Sequence, residues 1–431
     1  MKNSELDLAH FLRSREKLAT VVDHFSDYLN RSQESEMSPY LREVVSEPGP
    51  RVLVKRTPNS EPQEMIMMGS NDYLGFSNNE EIKKFICQMV MEKGVGVGGP
   101  PLLNGMTSLH RELERALADN KSQEDALLYS SGYQANMGWV TCLVRSGDVV
   151  VYDELNHASL FDGMKSFKKG TATFRSFKHN SVESLEEVLQ KVEMKDRSTL
   201  FVVVEGVYSM DGDICPLDRI IDVAKQHGAF VVLDDAHGTG VLGTTGAGTA
   251  EFFSRESDID LYMGTFSKAL SMTGGFLAGP RKIIDYLRFF SRSYMFSAHL
   301  PIPTVAGVLK GLEIIKNQPS LRERLHENVR YFVAKMNEAG YRVSSLTPIV
   351  PVLIPNHISI REFNRRLASR GLFVNGIEYP AVKQQRIRVS LMAKHSRADL
   401  DHAVLLFKQI GEEMGVLSQP VSKVYETVAE V

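Results

Sequence analysis

The middle of the chain alternates short β-rich runs with longer amphipathic segments. The strand-like runs between residues 125 and 266 are DALLYS, DVVVYD, TLFVVVEG, AFVVLDDA and IDLYMGTF. Segments with helical spacing, SLEEVLQKVE and LDRIIDVAKQ, lie between some of these runs. Such alternation is typical of a mostly parallel β-sheet with helices on both faces. The sequence therefore predicts an α/β fold around one central sheet.

Different patterns flank this region. Apolar residues recur at helical spacing from about Leu6 to Val45, until SEPGPRVLV breaks the pattern with proline and glycine. After residue 300 the helix-like RERLHENVRYFVAKMNEAG and REFNRRLASRG alternate with the strand-like VPVLIPN and RIRVSLM. We therefore predict an N-terminal helical arm over residues 1–55, a large domain over 56–300, a smaller C-terminal α+β domain over 301–416 and a tail over 417–431.

Composition and charge exclude several classes of protein. The 431 residues contain 50 Lys plus Arg and 53 Asp plus Glu, a formal net charge of -3 that offers no basic surface for nucleic acid. No apolar run is long enough to span a membrane, and the N-terminus lacks the apolar core of a secretion signal. Cys87, Cys142 and Cys215 are far apart and lack metal-ligand spacing. This pattern favours a reducing cytoplasm and predicts no metal site.

One lysine stands in an unusual setting for a charged residue. Lys268 lies in GTFSKALSMTGG, among small and hydroxyl-bearing residues, and the apolar run LYMG comes just before the threonine of this stretch. Burial would lower the pKa of its amine, and the neutral amine can attack a carbonyl to form a Schiff base. A surface loop whose lysine reaches solvent fits the same twelve residues equally well. The other motifs have to distinguish these two interpretations.

Polar residues follow each of the five predicted strands. Because ligands of an open parallel sheet gather beyond the carboxyl ends of its strands, these residues should meet at one edge. In chain order they are Gly132 and Tyr133, His157, Ser209, Asp234 and His237, and Thr265 and Lys268. A glycine turn, hydroxyls, carboxylates, imidazoles and a lysine at one edge predict a ligand-binding site.

This set of side chains suits the binding of pyridoxal 5'-phosphate (PLP). A lysine forms a Schiff base with its aldehyde, and an ionised Asp234 keeps the ring nitrogen protonated, so that the ring accepts electrons from a substrate carbanion. Backbone amides around Gly132 at a helix N-terminus, with the hydroxyl of Thr265, suit its phosphate. Taken singly, DDAH also fits a helix cap or a metal fragment, and His157 fits an ordinary half-buried histidine. GVGVGGP at Gly94 has the letters of a dinucleotide fingerprint, but it follows a helix and precedes prolines, so we reject that interpretation.

Seven motifs occur in the order found in one family of PLP enzymes. They are SNDYLG at Ser70, LNGMTSLHRELE at Leu103, SSGYQAN at Ser130, ELNHAS at Glu154, EGVYSMDGD at Glu205, DDAHGTGVLG at Asp234 and GTFSKA at Gly264. With these motifs the chain resembles the α-oxoamine synthases, a group of fold-type I PLP enzymes, from about residue 45 to 415. Within that group it is most similar to serine palmitoyltransferases of bacteria.

The resemblance implies a role for each residue at the predicted site. Lys268 would hold the cofactor, Asp234 would pair with the ring nitrogen, and His157 would stack on the ring. The implied site residues are the catalytic Lys268, His157 and Asp234, the cofactor-binding Gly132, Tyr133, Ser209, His237, Thr265 and Ser297, and the substrate-binding Asn71, Arg388 and again His157. The guanidinium of Arg388 would suit the carboxylate of an amino acid.

The resemblance also implies a homodimer whose active sites are shared between the two chains, the second chain helping to bind the phosphate. This chain departs from the family at that contact. His299 stands where a small hydroxyl residue usually lies, two positions before the proline of FSAHLP. Ser297 is expected to take over part of the contact.

The family's reaction is implied in turn: a decarboxylative condensation of an amino acid with an acyl thioester, giving an α-amino ketone, carbon dioxide and a free thiol. We expect L-serine and a long-chain acyl thioester, in keeping with sphingolipid biosynthesis. One alternative is an 8-amino-7-oxononanoate synthase, or a related synthase that uses glycine or alanine and takes its acyl group from CoA or a carrier protein. Two alternatives of other classes are a plain aminotransferase and a catalytically silent partner subunit, although Lys268 counts against silence.

Overall fold

The elements of the fold are known from a computed structural model, which describes residues 8–417. The β-strands are β1 Glu43–Val44, β2 Arg51–Lys55, β3 Gln63–Met67, β4 Asp125–Tyr129, β5 Val149–Asp153, β6 Thr173–Phe177, β7 Leu200–Glu205, β8 Phe230–Asp234, β9 Leu261–Thr265, β10 Gly275–Gly279, β11 Ile349–Leu353, β12 Leu372–Phe373, β13 Asn375–Ile377 and β14 Arg386–Ser390. The α-helices are α1 Leu8–Arg13, α2 Leu18–Glu34, α3 Glu80–Lys93, α4 Ser108–Asn120, α5 Gly132–Leu143, α6 Ala158–Lys165, α7 Val182–Gln190, α8 Leu217–Gln226, α9 Thr249–Phe252, α10 Arg281–Phe290, α11 Arg292–Met295, α12 Ile302–Asn317, α13 Ser320–Glu338, α14 Ile360–Ser369 and α15 Arg397–Glu413.

A seven-stranded sheet forms the centre of the molecule, in the order β4-β10-β9-β8-β7-β5-β6. Strand β10 runs antiparallel to both of its neighbours, and the other neighbouring pairs are parallel. Every strand of the sheet except β10 therefore points the same way and ends at the same edge. The predicted α/β fold with a mostly parallel central sheet is confirmed.

Both faces of this sheet are buried, which explains the continuous apolar runs of its strands. In β7, Val202 and Val204 join the core on one face, while Phe201 and Val203 join the core on the other. Helices α4, α7, α8 and α12 contribute to the first core, and α5, α6 and α10 contribute to the second. Apolar side chains thus occupy both faces, and polar groups are left to the strand ends.

The sequence pattern does not predict two strands of this sheet. Strand β6 lies at the edge, and three of its five residues are exposed, so it needs no apolar run. Strand β10, GFLAG, is short and has a glycine at each end, which lowers its apparent strand propensity. Both strands are held by pairing with neighbours that local pattern does not reveal.

A second core lies in the C-terminal part of the chain. An antiparallel sheet in the order β11-β14-β13 packs with helices α13, α14 and α15. Phe332, Phe363 and Phe407, one from each helix, are fully buried there. This part of the chain therefore has the α+β composition that its sequence predicts.

The N-terminal strands pair with the C-terminal part in a sheet of order β1-β2-β3-β12. Strand β12 runs parallel to β3, with Leu372 opposite Ile66, and both residues belong to the C-terminal core. The boundary predicted between residues 55 and 56 falls inside the β2–β3 hairpin, and the boundary predicted after residue 300 separates α12 from the central core on which it packs. We propose instead that residues 43–67 belong with the C-terminal domain and α12 with the large domain.

The N-terminal arm is helical over α1 and α2 only. The helical spacing that continues towards Val45 does not produce a helix there, because the chain turns into β1 at Glu43. Tyr28 of α2 is buried and accepts a 2.6 Å hydrogen bond from Nη1 of Arg361, so the arm is attached to α14. Leu6 and the predicted tail beyond residue 417 lie outside the described residues. Between residues 8 and 417, no helix has both the length and the apolar character needed to cross a membrane.

A buried ion pair joins the end of α4 to the segment after β8. The side chains of Lys121 and Asp235 are 1% and 0% exposed, and Nζ of Lys121 lies 2.8 Å from Oδ2 of Asp235. The same Nζ donates to Oγ1 of Thr239 over 2.8 Å, and Oδ1 of Asp235 accepts a 2.7 Å bond from Thr249. Each buried charge is therefore compensated inside the protein.

Replacing Lys121 with Met should lower the free energy of unfolding by about 3–5 kcal/mol, because the Asp235 carboxylate then stays buried without its cation. Urea unfolding followed by circular dichroism measures the loss. The matched control is Lys335→Met, which removes the more exposed Lys335–Glu338 pair and should cost much less than the loss of the buried pair. Equal losses in the two variants would contradict this expectation.

Candidate active site

The carboxyl ends of five strands bring polar residues to one edge of the central sheet. Strand β4 leads into α5 at Gly132, β5 leads to His157, and β7 leads to Ser209. Strand β8 ends at Asp234, and β9 ends at Thr265. Because these strands all run in the same direction, the strand-end residues predicted from the sequence are delivered to a common edge.

Lys268 lies in the turn after β9 with its side chain half-buried. Ser271 holds this turn: its N–H donates to the carbonyl oxygen of Lys268 over 2.9 Å, and its Oγ donates to Asp72. Asp72 belongs to SNDYLG, so this contact joins two of the sequence motifs. Burial lowers the pKa of Lys268 to about 8, although the negative Asp234 opposes the shift. Near pH 8 the amine is therefore divided between its neutral and charged forms.

Asp234 is held from two sides at the end of β8. Its Oδ2 accepts a 2.9 Å bond from Nδ2 of Asn136, and its Oδ1 accepts a 3.1 Å bond from the N–H of Ala236. Nδ2 of Asn136 also donates to Oγ of Ser159 over 2.9 Å, and that oxygen lies 2.8 Å from Nδ1 of His157. A short hydrogen-bond network thus connects the carboxylate to the histidine of ELNHAS.

Both imidazoles of the predicted site favour their neutral form. Desolvation lowers the pKa of His157, and its Nδ1 accepts a 3.2 Å bond from the N–H of Ser159, which leaves the ring proton on Nε2. Burial holds the pKa of His237 well below its usual value, and its Nδ1 lies 2.8 Å from the hydroxyl of Tyr73. These rings therefore add no positive charge beside Lys268 at neutral pH.

A second carboxyl group, absent from the predicted site, lies beside Asp234. Glu205 ends β7 and stands opposite Asp234 in the register of β7 and β8. It is buried, and burial together with the negative charge of Asp234 raises its pKa well above the usual value for a glutamate. The protonated acid is favoured, so one anion rather than two stands at this place.

Amide and hydroxyl donors gather at the N-terminus of α5. The helix begins at Gly132, so the amides of Gly132 and Tyr133 have no acceptor within the helix. A Cβ on Gly132 would lie 3.1 Å from Cβ of Thr265, and one on Gly275 would lie 2.6 Å from the nitrogen of Gly132. The hydroxyls of Thr265 and Ser267 are 3.0 Å apart. Glycine thus permits a close approach of helix and strands, and the resulting donor set fits a phosphate dianion.

The side chains of Ser297 and His299 in FSAHLP lie in different surroundings. Oγ of Ser297 lies 3.2 Å from Oγ of Ser130, beside the start of α5 in the same chain. His299 is buried, and its ring stacks on His110 with 4.0 Å between the ring centroids. Burial lowers the pKa of His299 to about 3. His299 therefore packs as a neutral ring in the interior, and Ser297 supplies a hydroxyl next to α5.

Arg388 of β14 meets Asn71 of SNDYLG at the C-terminal side of the site. Nη1 and Nη2 of Arg388 each donate to Oδ1 of Asn71 over 3.1 Å, and Nε donates to the carbonyl oxygen of Ser209 over 2.6 Å. The hydroxyls of Ser390 and Tyr73 complete its contacts. Within residues 8–417 these acceptors are all neutral, and no carboxylate pairs with this buried guanidinium. A carboxylate brought beside it would gain a charge-assisted hydrogen bond.

Sequence reasoning misses three residues of this arrangement: Asn136, Glu205 and Tyr73. Each lies inside a motif already quoted, namely SSGYQAN, EGVYSMDGD and SNDYLG. A polar residue at the last position of a buried strand is the signal for Glu205. Asn136 and Tyr73 act through contacts with Asp234 and His237, which only the folded chain reveals.

Known proteins are similar to this chain in sequence and in fold. The chain matches the family of class I and II aminotransferases over residues 63–405. It is 36% identical over 399 residues to 8-amino-7-oxononanoate synthase of Thermoanaerobacter pseudethanolicus, across 92% of this chain and 98% of that one. It is 38% identical over 357 residues to 4-hydroxy-2,2'-bipyrrole-5-methanol synthase PigH of a Serratia species, across 82% of this chain and 54% of PigH. Among solved structures, serine palmitoyltransferase of S. paucimobilis with a bound PLP–myriocin aldimine is similar with a TM-score of 0.86 at 30% identity, across 93% of this chain and 100% of that one.

The parallel sheet, the lysine after β9 and the carboxylate at the end of β8 define a fold-type I PLP-dependent transferase. The chain belongs to the class I and II aminotransferase family. Within that family it is an α-oxoamine synthase, a PLP-dependent C-acyltransferase. The predictions of fold, family, cofactor and enzyme class are confirmed.

The rate at which the PLP-free protein captures added PLP should rise about tenfold per pH unit below pH 8 and level off above it. Lys268 is protonated below its pKa of about 8, and only the neutral amine attacks the aldehyde. Growth of the visible absorption band after mixing, from about pH 6 to about pH 9, measures this rate, and Lys268→Ala should give no band. A rate that does not change over this range would contradict the lowered pKa.

Glu205→Gln should keep turnover within about threefold of the unmodified chain, because the amide reproduces a neutral, protonated carboxyl group. The matched variant Asp234→Asn makes the same change at the neighbouring strand end, and it should lower turnover by about a hundredfold or more, because there the charge itself is needed. Steady-state turnover and PLP retention on gel filtration are the measurements. If Glu205→Gln were as damaging as Asp234→Asn, Glu205 would have to act as an anion.

Proposed function

We propose that this chain condenses L-serine with a long-chain acyl thioester, releasing carbon dioxide and a free thiol and forming an α-amino ketone. The observation that carries the proposal is the surroundings of Arg388, a buried guanidinium whose acceptors among residues 8–417 are all neutral. It lies close enough to Lys268 to lower the pKa of that lysine. A guanidinium in this setting suits the α-carboxylate of an amino acid. The amino group and α-carbon of the same molecule then face the lysine.

The cofactor would be held at three places by residues of this chain. When bound, PLP supplies an aldehyde for the amino group of the substrate and a ring that takes up the electron pair of its α-carbon. The residues proposed to hold it are Gly132, Tyr133, Thr265 and Ser297 at the phosphate, Asp234 at the ring nitrogen, and His157, Ser209 and His237 at the ring and its oxygen. The donors at the start of α5, described above, support the first of these assignments.

Lys268 is proposed to carry the proton of the reaction. With a pKa of about 8, its amine is partly neutral near pH 8, and in that form it accepts a proton from the substrate α-carbon and returns one to the product. Asp234 holds the proton on the ring nitrogen, and Asn136 and Ala236 keep that carboxylate oriented. Because Glu205 favours its neutral form, no second anion competes for that proton.

A second candidate, 8-amino-7-oxononanoate synthesis, is favoured by a different observation. The relative of that name in T. pseudethanolicus is 36% identical across 92% of this chain. Serine and sphingolipid biosynthesis are favoured by the similarity to serine palmitoyltransferase, which covers 93% of this chain. The two candidates share one reaction and differ in the amino acid and in the acyl group. Both differ from a plain aminotransferase, which exchanges amino groups and releases no carbon dioxide.

We also propose that the enzyme is a cytoplasmic homodimer with shared active sites. Two large apolar side chains are exposed to an unusual degree. Leu103, in LNGMTSLHRELE, is 81% exposed, and Phe296, next to Ser297, is 72% exposed. A second copy of the chain would cover such residues and place its own segment near the phosphate contact. The cysteines at positions 87, 142 and 215 are free, as a reducing compartment favours.

Purified protein loaded with PLP should release carbon dioxide and thiol from L-serine and a long-chain acyl-CoA, and more slowly from L-alanine or glycine. The three amino acids are tested separately with that acyl-CoA and with a shorter acyl-CoA that ends in a carboxylate, and products are identified by mass spectrometry. A preference for L-alanine with the shorter donor would establish the second candidate instead. Amino-group exchange with a keto acid, without carbon dioxide, would refute both.

Two variants control this experiment. Lys268→Ala should abolish turnover, whereas Lys282→Ala, at an exposed position of α10, should leave it unchanged. Turnover retained in Lys268→Ala would overturn the role of this lysine. A chain that binds PLP yet turns over none of these substrates would correspond to the silent partner subunit.

A further inference from the structure

His179, in the segment between β6 and α7, lies between two carboxylates next to the active site. Its Nδ1 is 3.0 Å from Oδ1 of Asp153, and its Nε2 is 2.7 Å from Oδ2 of Asp213. Only the protonated imidazolium donates to both carboxylates at once. Burial alone would lower the pKa of His179, but the hydrogen bonds to Asp153 and Asp213 outweigh burial and raise it to about 10. The ring therefore carries a positive charge at neutral pH.

The first carboxylate controls the turn that delivers His157. Asp153 is the last residue of β5, and its side chain is 0% exposed. Its Oδ1 accepts a 2.9 Å bond from the N–H of Leu155, and its carbonyl oxygen accepts a 3.1 Å bond from the N–H of Asn156. These bonds shape residues 154–157, here called the His157 turn.

The second carboxylate belongs to Asp213, whose backbone closes the loop that presents Ser209, residues 207–213, here called the Ser209 loop. The N–H of Tyr208 donates to the carbonyl oxygen of Asp213 over 3.1 Å, and the N–H of Gly212 donates to the carbonyl oxygen of Tyr208 over 2.8 Å. At its tip, the carbonyl oxygen of Ser209 accepts the 2.6 Å bond from Nε of Arg388. Asp213 therefore stands at the base of the loop that orients Arg388.

The His157 turn and the Ser209 loop follow neighbouring parallel strands, β5 and β7. At the base of the turn, Nδ2 of Asn156 donates to the carbonyl oxygen of Val203 in β7 over 3.0 Å. Beyond the strand ends, the imidazolium of His179 connects the two, and its edge also contacts the ring of Tyr208 at 4.4 Å between centroids. The ring of His179 thus bridges two segments that carry site residues. Asn180 bridges the same carboxylates, since its N–H donates to Oδ2 of Asp153 over 2.8 Å and its Nδ2 donates to Oδ2 of Asp213 over 2.7 Å.

We propose that His179 is a positioning residue, which joins the His157 turn to the Ser209 loop and so sets the place of the amino-acid carboxylate, through Arg388, relative to His157. This rests on the proposed function in one respect: Arg388 is taken to bind that carboxylate. The residue itself touches neither cofactor nor substrate in this scheme. Its effect falls on the amino-acid side of the site and not on the acyl donor.

The test uses His179→Gln, with Asp213→Asn as a second variant that removes the charge only on the loop side. The matched control is His227→Gln. His227 follows α8 and also pairs with a carboxylate, since it lies 3.3 Å from Glu186 of α7, but this pair contacts neither the His157 turn nor the Ser209 loop. Hydrogen exchange of the PLP-free protein is measured by mass spectrometry. Steady-state kinetics of the PLP-loaded enzyme give KM for the amino acid and KM for the acyl thioester separately.

In His179→Gln, exchange should be about tenfold faster in both the His157 turn and the Ser209 loop, as expected for the loss of a charge-assisted bond. Asp213→Asn should speed exchange in the Ser209 loop alone. Both variants should raise KM for the amino acid about tenfold and leave KM for the thioester unchanged, and His227→Gln should change none of these quantities.

Two results would overturn the proposal. One is exchange that is faster throughout β7 and β8 as well, with both KM values changed alike, since a residue that only stabilises the fold would act in that way. The other is unchanged exchange in both segments. Because exchange is measured without PLP or substrate, it tests the connection even if the enzyme acts on none of the proposed amino acids, so failure of the proposed function is recognised separately.

Discussion

The burial of both faces of the central sheet is the constraint on which the rest of the structure depends. Val202 and Val204 of β7 face one core, and Phe201 and Val203 face the other. A polar side chain on either face of the inner strands would lose its hydration without a partner, so the polar groups of these strands lie at their ends. Parallel strands place those ends at one edge, and Asp234, Thr265 and the residues after β5 and β7 therefore meet there. The position of the active site follows from the packing of the core.

Charge balance explains how Lys268, Glu205, Asp234 and Arg388 lie together at this site. Lys268 has a pKa lowered to about 8, and Glu205 has a pKa raised well above its usual value, so the neutral form of each is favoured relative to the free side chain. Burial acts against the charged form of each, and for Glu205 the neighbouring Asp234 adds to that effect. Within residues 8–417, the side chain of Arg388 donates only to neutral oxygens. The site thus holds one carboxylate, Asp234, proposed for the cofactor, and one guanidinium, Arg388, proposed for an incoming anion.

The apolar runs of the sequence and the polar residues after them predict the central sheet and the position of the site. The strands β4, β5, β7, β8 and β9 are apolar runs followed by polar residues, so the sheet, its edge and Lys268 follow from the sequence. Strand β6 is an exposed edge and β10 is bounded by glycines, so neither has a run to detect. The pairing of β3 with β12 joins residues that are far apart in sequence, and it is the reason for the different first domain boundary that we propose. The sequence does not predict the role of Glu205, because the raised pKa of this residue depends in part on its position opposite Asp234 in the pairing of β7 with β8.

The site is assembled from two parts of the chain, and this separates cofactor binding from substrate choice. Lys268, Asp234 and the start of α5 all belong to the central sheet and its helices, whereas Arg388 lies on β14 of the C-terminal sheet. The Ser209 loop bridges the two parts: Ser209 contacts Arg388, and Asp211 pairs with Arg386 of the same strand. A shift of β14 against the loop would therefore alter how an amino acid is held and leave Lys268, Asp234 and the start of α5 in place. Because one methylene group more or less changes binding by only about 1–3 kcal/mol, a small displacement there is enough to change the preference among small amino acids.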